Sequence, residues 1–248
     1  MSSFSLFAQT PKQIEDDLLK SFKKIDYWFQ KTRDSTTAAV AANDSLGNAN
    51  DVFAKKLKRC LENFPQTITY PFSSLKKDYL NISTSTDGLL RIYSWDDMTG
   101  GTMRYFVNMF QYKSGAKTIA LLDIPKGSDY SPAYEILHTF KAQGKTYYIL
   151  TTLEIGSSKA LEKGVQVFSI GNGKLNMDAR IIKTKSGLHS RVTYEYDLSR
   201  TSEKVHSEIH FDANTQSIYI PVVLENGKLT NNYITYKFTG QYFERMKN

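Results

Sequence analysis

The sequence predicts a mainly β protein: an antiparallel meander, propeller-like or a sandwich, with two N-terminal amphipathic helices packed on it. Three observations carry that fold class. The 248 residues include 16 tyrosines and 14 phenylalanines, flat side chains that pack well on a pleated surface and are enriched in strands. From about residue 76 onward, short aromatic and β-branched segments follow one another between glycine or polar turns, the signature of strands. No helical pattern falls between them, so the crossovers that a parallel sheet needs are missing and antiparallel neighbours are expected.

The first residues, "MSSFSLFAQ", are small and apolar and then turn polar at Gln9, like the last part of a bacterial secretory signal with Ala8 before the cleavage point. On this reading the chain is entered at an internal methionine and the mature protein begins near Gln9, in the periplasm or outside the cell; the alternative is a disordered tail. Residues 1–10 are accordingly set apart from a helical segment, 11–75, and a β domain, 76–248. No segment approaches the ~20 apolar residues of a membrane span.

Pro11 stands at a first helical position, and Ile14, Leu18, Phe22, Ile25 and Phe29 recur at spacings of four and three, one face of a helix of roughly 20 residues. The small and polar run "TRDSTTAAVAANDSLGNAN" reads as a flexible loop. A second helix from about Asp51 to Asn63 presents Val52, Phe53, Leu57 and Leu61 before Pro65 closes it. The single cysteine, Cys60, falls on this helix as a small apolar residue and excludes an intramolecular disulfide.

The ten strand segments run from "GLLRIYSWDD" to "NNYITYKFTG". Asn-Gly-Lys-Leu occurs at Asn172 to Leu175 and again at Asn226 to Leu229, with Gly115 in the equivalent earlier place and Gly88 and Gly144 opening strands upstream. A period near ~55 residues suits a propeller blade or similar meander module. Hairpin turns also choose Asn-Gly for their own backbone reasons, so the match can arise without repetition.

The net charge of +7 permits attraction to polyanions. Its basic runs, such as "FAKKLKRC" and "SLKKDY", lie on helix faces or abut acids, so no nucleic-acid partner is expected. No nucleophile elbow, phosphate loop or helical His-Glu-x-x-His motif occurs, and the chain reads as non-catalytic.

Two constellations are candidates for chemistry. In "VHSEIHFD", period-two alternation sends His206, Glu208 and His210 to one face; if the preceding "RVTYEYDL" forms a hairpin with it, Asp197 faces His206, Glu195 faces Glu208, Thr193 faces His210 and Arg191 faces Asp212. Imidazoles and carboxylates on one face would hold a divalent metal and leave a position for water, as a metal-dependent hydrolase requires. The same residues also suit a solvated sheet face with ordinary cross-strand pairs. In "RIYSWDDMTGGTMRYF", Trp95 could stack a sugar ring while Asp96 and Asp97 accept its hydroxyls, as in a carbohydrate-binding module; turn chemistry and core packing are the alternative. Both faces of the hairpin around "DDMTGG" carry large apolar residues, so layers are expected on both sides.

The segment "DGLLRIYSWDDMTGGTMRYF" resembles a stretch of uncharacterised exported proteins of Bacteroidetes-type bacteria, and the "FSLFAQ" start is similar to theirs. The resemblance implies an envelope or extracellular location and carries no assigned activity. Together these readings describe an exported non-catalytic binding or interaction protein, with an envelope protein or glycan as partner.

Overall fold

The computed structural model describes residues 9–33, 38–123, 131–201 and 207–247. Helix α1 (Pro11–Thr32) starts where expected: Thr10 accepts from the Gln13 amide and the Gln13 side chain accepts from the Thr10 amide, a capping box with proline at the first position. Ile14, Leu18, Phe22 and Ile25 are buried as a stripe.

Helix α2 (Ala38–Asn63) is twice as long as its apolar pattern suggested, and the expected loop over its first half is helical from Ala38. Ala42, Leu46, Ala49 and Asn50 continue the buried stripe of Phe53, Leu57, Cys60 and Leu61. Small side chains bring that half close to the strands beneath, and packing outweighs the weak helix preference of its asparagines and glycine. Val52, expected on the buried face, is exposed. A 3-10 turn, Pro65–Ile68, and a short helix α3 (Ser73–Lys77) lead into the strands.

All ten expected strand segments hold a strand, and among the described residues five further short ones appear. Strands β1 (Asn81–Thr84), β2 (Leu90–Asp96), β3 (Phe106–Ser114) and β4 (Lys117–Asp123) form a first meander. Strands β5 (Ala133–Ala142), β6 (Lys145–Ile155), β7 (Ala160–Gly171) and β8 (Lys174–Asn176) form a second. Strand starts at 81, 90, 106 and 117 thus recur at 133, 145, 160 and 174, close to the period that the turn glycines suggest.

The remaining strands are β9 (Ile182–Thr184), β10 (Gly187–His189), β11 (Arg191–Asp197), β12 (His210–Asp212), β13 (Ser217–Val223), β14 (Leu229–Phe238) and β15 (Phe243–Arg245). They break the repeat. β11 joins the second sheet beside β7, and the third sheet runs β10-β9-β15-β14-β13-β12, with β15 and β9 parallel. The two Asn-Gly turns also differ: Asn172 and Gly173 both have left-handed φ, 51° and 70°, whereas at the second turn only Gly227 does. A two-residue hairpin with both central residues left-handed closes β7 on β8. The shared tetrapeptide therefore reflects turn chemistry, not an equivalent position.

The layers stack as helices, first sheet, second sheet and third sheet, and none of the sheets closes on itself. Tyr93, Trp95, Met109 and Ala120 pack under α1 and α2. Leu90, Ile92, Phe110 and Tyr112, on the opposite face, meet Tyr134, Leu137, Tyr148, Leu150 and Phe168 of the second sheet. The next interface joins Ile149, Val165 and Val167 to Phe211, Ile218, Ile220 and Phe243 of the third. The two-faced burial expected of the β2–β3 hairpin is thus met by helices on one side and a sheet on the other. Where β1 and β5 meet as neighbouring edges, side chains replace strand pairing: Asn81 donates to Tyr134 O and the Leu137 amide donates to Ser83 Oγ. This satisfies edge groups while keeping the two sheets separate.

Candidate functional site

The hairpin expected between "RVTYEYDL" and "VHSEIHFD" does not form. Strand β11 pairs with β7 and β12 pairs with β13, so the two segments lie in different sheets. Glu195 stands opposite Glu162, Thr193 opposite Gly164, Arg191 opposite Gln166, and Asp212 opposite Ser217. Gly164 makes the β7–β11 contact possible: a Cβ there would lie 2.7 Å from Thr193 Cγ2 and 2.9 Å from Val192 O, closer than such atoms approach. Alternation placed the side chains on the right faces; the strand partner was the error.

The candidate ligands disperse accordingly. Glu208 pairs with Lys163 at 3.3 Å, and Lys163 also faces Glu135 at 3.8 Å. Burial works against the Lys163 ammonium, yet the two carboxylates hold its pKa above the ordinary lysine value. His210 stacks on Tyr219, ring centroids 4.8 Å apart. His206 lies outside the described residues. Among the described residues no three His, Cys, Asp or Glu side chains converge on a point that could hold a metal ion.

The β2–β3 turn divides its three candidates differently. Trp95 is 1% exposed, its ring edge-on to Phe53 and its Nε1 donating to Asn50 Oδ1 at 3.1 Å; an indole buried on both faces cannot stack a sugar. Asp97 is committed to the turn, accepting from the Thr99 amide and hydroxyl at 2.8 and 2.7 Å. Burial raises its pKa against the pull of those Thr99 bonds. Both aspartates are half-buried, but of the three candidates only Asp96 lines a cleft, where Oδ1 accepts from the Met98 amide at 2.8 Å and Oδ2 pairs with Arg104 at 2.9 Å.

That surface is a cleft of about 930 Å³ between α1, the end of α3 and the β2–β3 turn. Phe22, Phe106 and Ile155 are among its apolar lining residues, together with Met98. Two tyrosines belong to it that alternation along β2 does not reveal. Tyr27, 54% exposed, projects from α1 and meets Trp28 edge-on at 5.1 Å, and Tyr79 is 92% exposed.

Tyr79 is held there by the backbone. Its amide donates to Lys76 O and the next amide, of Leu80, donates back to Leu75 O, both at 3.2 Å. This pair of hydrogen bonds is the pattern that ends a helix on a left-handed residue, a position glycine usually fills. Tyr79 adopts φ 67°, a conformation that costs a side-chain-bearing residue about 1–2 kcal/mol. Leu75 and Leu80 are both buried, so packing on either side fixes the turn and presents the tyrosine outward.

Sequence reasoning could have marked Tyr27, which falls off the apolar stripe of a helix it had correctly placed. Tyr79 left only the "KKDYL" context, with no glycine to announce a helix end. Among the described residues, no helix is long and apolar enough to cross a membrane. No protein-family model matches the chain, and no curated protein matches it significantly.

Proposed function

We propose that the chain is an exported, non-catalytic binding protein of the bacterial envelope or extracellular space, and that the cleft between α1 and the β2–β3 turn is its binding surface. The observation that carries this is Tyr79: an aromatic ring 92% exposed, at a position where glycine would relieve strain, on the rim of a cleft. Strain of that kind collects at ligand sites; it recurs at Met98 of the same cleft, φ 63°, and, unlike the buried Phe72, φ 49°, Tyr79 carries it with its side chain outside the core. The signal-like "FSLFAQ" start, which up to Ala8 lies outside the described residues, and the resemblance of the β2–β3 segment to exported proteins support the location. The scaffold beneath we read as propeller-like modules, on the strength of the two four-stranded meanders.

Tyr79→Gly tests the reading. Relief of the left-handed strain, less the extra chain entropy of glycine in the unfolded state, should raise stability by about 0.5–1 kcal/mol, read from urea unfolding. In an NMR screen with small aromatic, sugar and dipeptide fragments, hits should gather on the Tyr27, Met98 and Tyr79 signals of the native protein and vanish in the variant. A variant less stable than the native protein, or fragment hits scattered away from the cleft, would overturn it.

A further inference from the structure

We infer that the ligand of this cleft is a neutral oligosaccharide, an inference that rests on reading the cleft as the binding surface. Its charges are balanced: Lys23, Lys31 and Arg104 line it together with Asp26, Asp78 and Asp96. Two of these cations are already joined to two of the acids, Lys23 of α1 to Asp78 after α3 at 3.7 Å and, within the β2–β3 turn, Arg104 to Asp96 at 2.9 Å. The Asp26 carboxylate accepts from Gln30 Nε2 at 3.2 Å. A strongly charged ligand would find no excess of the opposite sign, and a bare acyl chain would have to desolvate these ion pairs without replacing their hydrogen bonds.

A sugar ring meets both requirements. Its axial C–H face is apolar and lies flat on an aromatic ring, which Tyr27 and Tyr79 offer from two separate elements. Its hydroxyls both donate and accept, so a single ring can bridge a carboxylate and a neighbouring guanidinium or ammonium without displacing the charge balance. The volume, about 930 Å³, is at the upper end of small-molecule sites, room for more than one ring. Trp28 packed edge-on against Tyr27 restrains that ring, and the helix-ending turn fixes the backbone from which Tyr79 projects, which lowers part of the entropy lost on binding.

The test is titration of isotope-labelled protein with the hexasaccharides of cellulose, xylan, mannan and chitin, followed by NMR and calorimetry. At least one should shift the Tyr27, Tyr79 and Met98 signals and bind with an affinity that changes less than about twofold between low and high salt. Tyr79→Gly, which should fold at least as well as the native chain, should weaken that binding about tenfold or more, and Tyr79→Phe should hold within about threefold, because the ring face and not the hydroxyl makes the contact. If none of the four moves these signals while an acidic oligogalacturonate or a neutral phenylalanine-containing hexapeptide does, the sugar inference is overturned and the cleft survives as the binding surface. If no probe of any class moves them, both readings fall together.

Discussion

Replacing Trp95 with alanine is expected to destabilise the protein by about 3–5 kcal/mol, the range for deleting a large buried aromatic side chain. The ring is 1% exposed and meets Phe53 edge-on, centroids 5.1 Å apart, so its removal opens a cavity between the first sheet and α2. It also strands a partner. Asn50 of α2 accepts from Trp95 Nε1 at 3.1 Å and donates to Asp97 O at 2.9 Å; without the indole its buried carbonyl oxygen has lost its donor, an added cost of order 1–3 kcal/mol within that total. Urea unfolding followed by circular dichroism measures the loss. Trp95→Phe, which refills most of the volume but not the hydrogen bond, should cost about 1–2 kcal/mol and leave binding at the cleft unchanged. A binding defect in that variant at preserved stability would restore Trp95 as a ligand-stacking residue, contrary to its burial.

The second large effect is expected at Glu15. This carboxylate lies in α1 at 2% exposure, among the apolar stripe. It accepts from the Ser74 amide at 2.6 Å, the Leu75 amide at 3.4 Å and the Tyr70 hydroxyl at 3.2 Å, with Lys12 at 3.7 Å. The amides are the first of α3, groups that have no partner inside their own helix, and a negative charge suits that end. Glu15→Ala should cost about 3 kcal/mol, since it leaves several donors unsatisfied at once, and Glu15→Gln about 1–2 kcal/mol, since an amide oxygen accepts without the charge. Thermal unfolding reads both. Equal losses for the two variants would mean that the charge carries the whole effect, and no loss for Glu15→Gln would mean that the side chain acts through packing and neutral hydrogen bonds. Because α3 ends in the Tyr79 turn, Glu15→Ala should also weaken binding at the cleft, through position and without contact.

Much of the architecture was legible because it is written in periodicity. Ile14, Leu18, Phe22 and Ile25 announce one helix at period 3.6, and alternation along "LLRIYSWD" assigns Tyr93 and Trp95 to one face and Leu90 and Ile92 to the other, as found. The first half of α2 was lost because alanine and asparagine carry little amphipathic signal, and its burial is visible only once the strands beneath it are in place. The histidine face failed for a different reason. Period two tells which side of a strand a residue occupies, but not which strand lies beside it, and β11 went to β7 across Gly164 instead of to the segment that follows it.

The candidate site divides in the same way. Asp96 and the turn around it were readable, since Asx residues and glycines between two strands have a turn to make. Trp95 was read correctly as part of a two-faced strand, and its burial under α2 removed it from any binding role. The cleft itself joins α1, the end of α3 and the β2–β3 turn, elements dozens of residues apart in the chain. From the sequence alone come the fold class, the strand faces and the turn, because local side-chain pattern decides which surface an element must bury. Only the tertiary structure decided strand partners, the covering of Trp95 and the exposure of Tyr79, because these depend on what the rest of the chain brings to each surface.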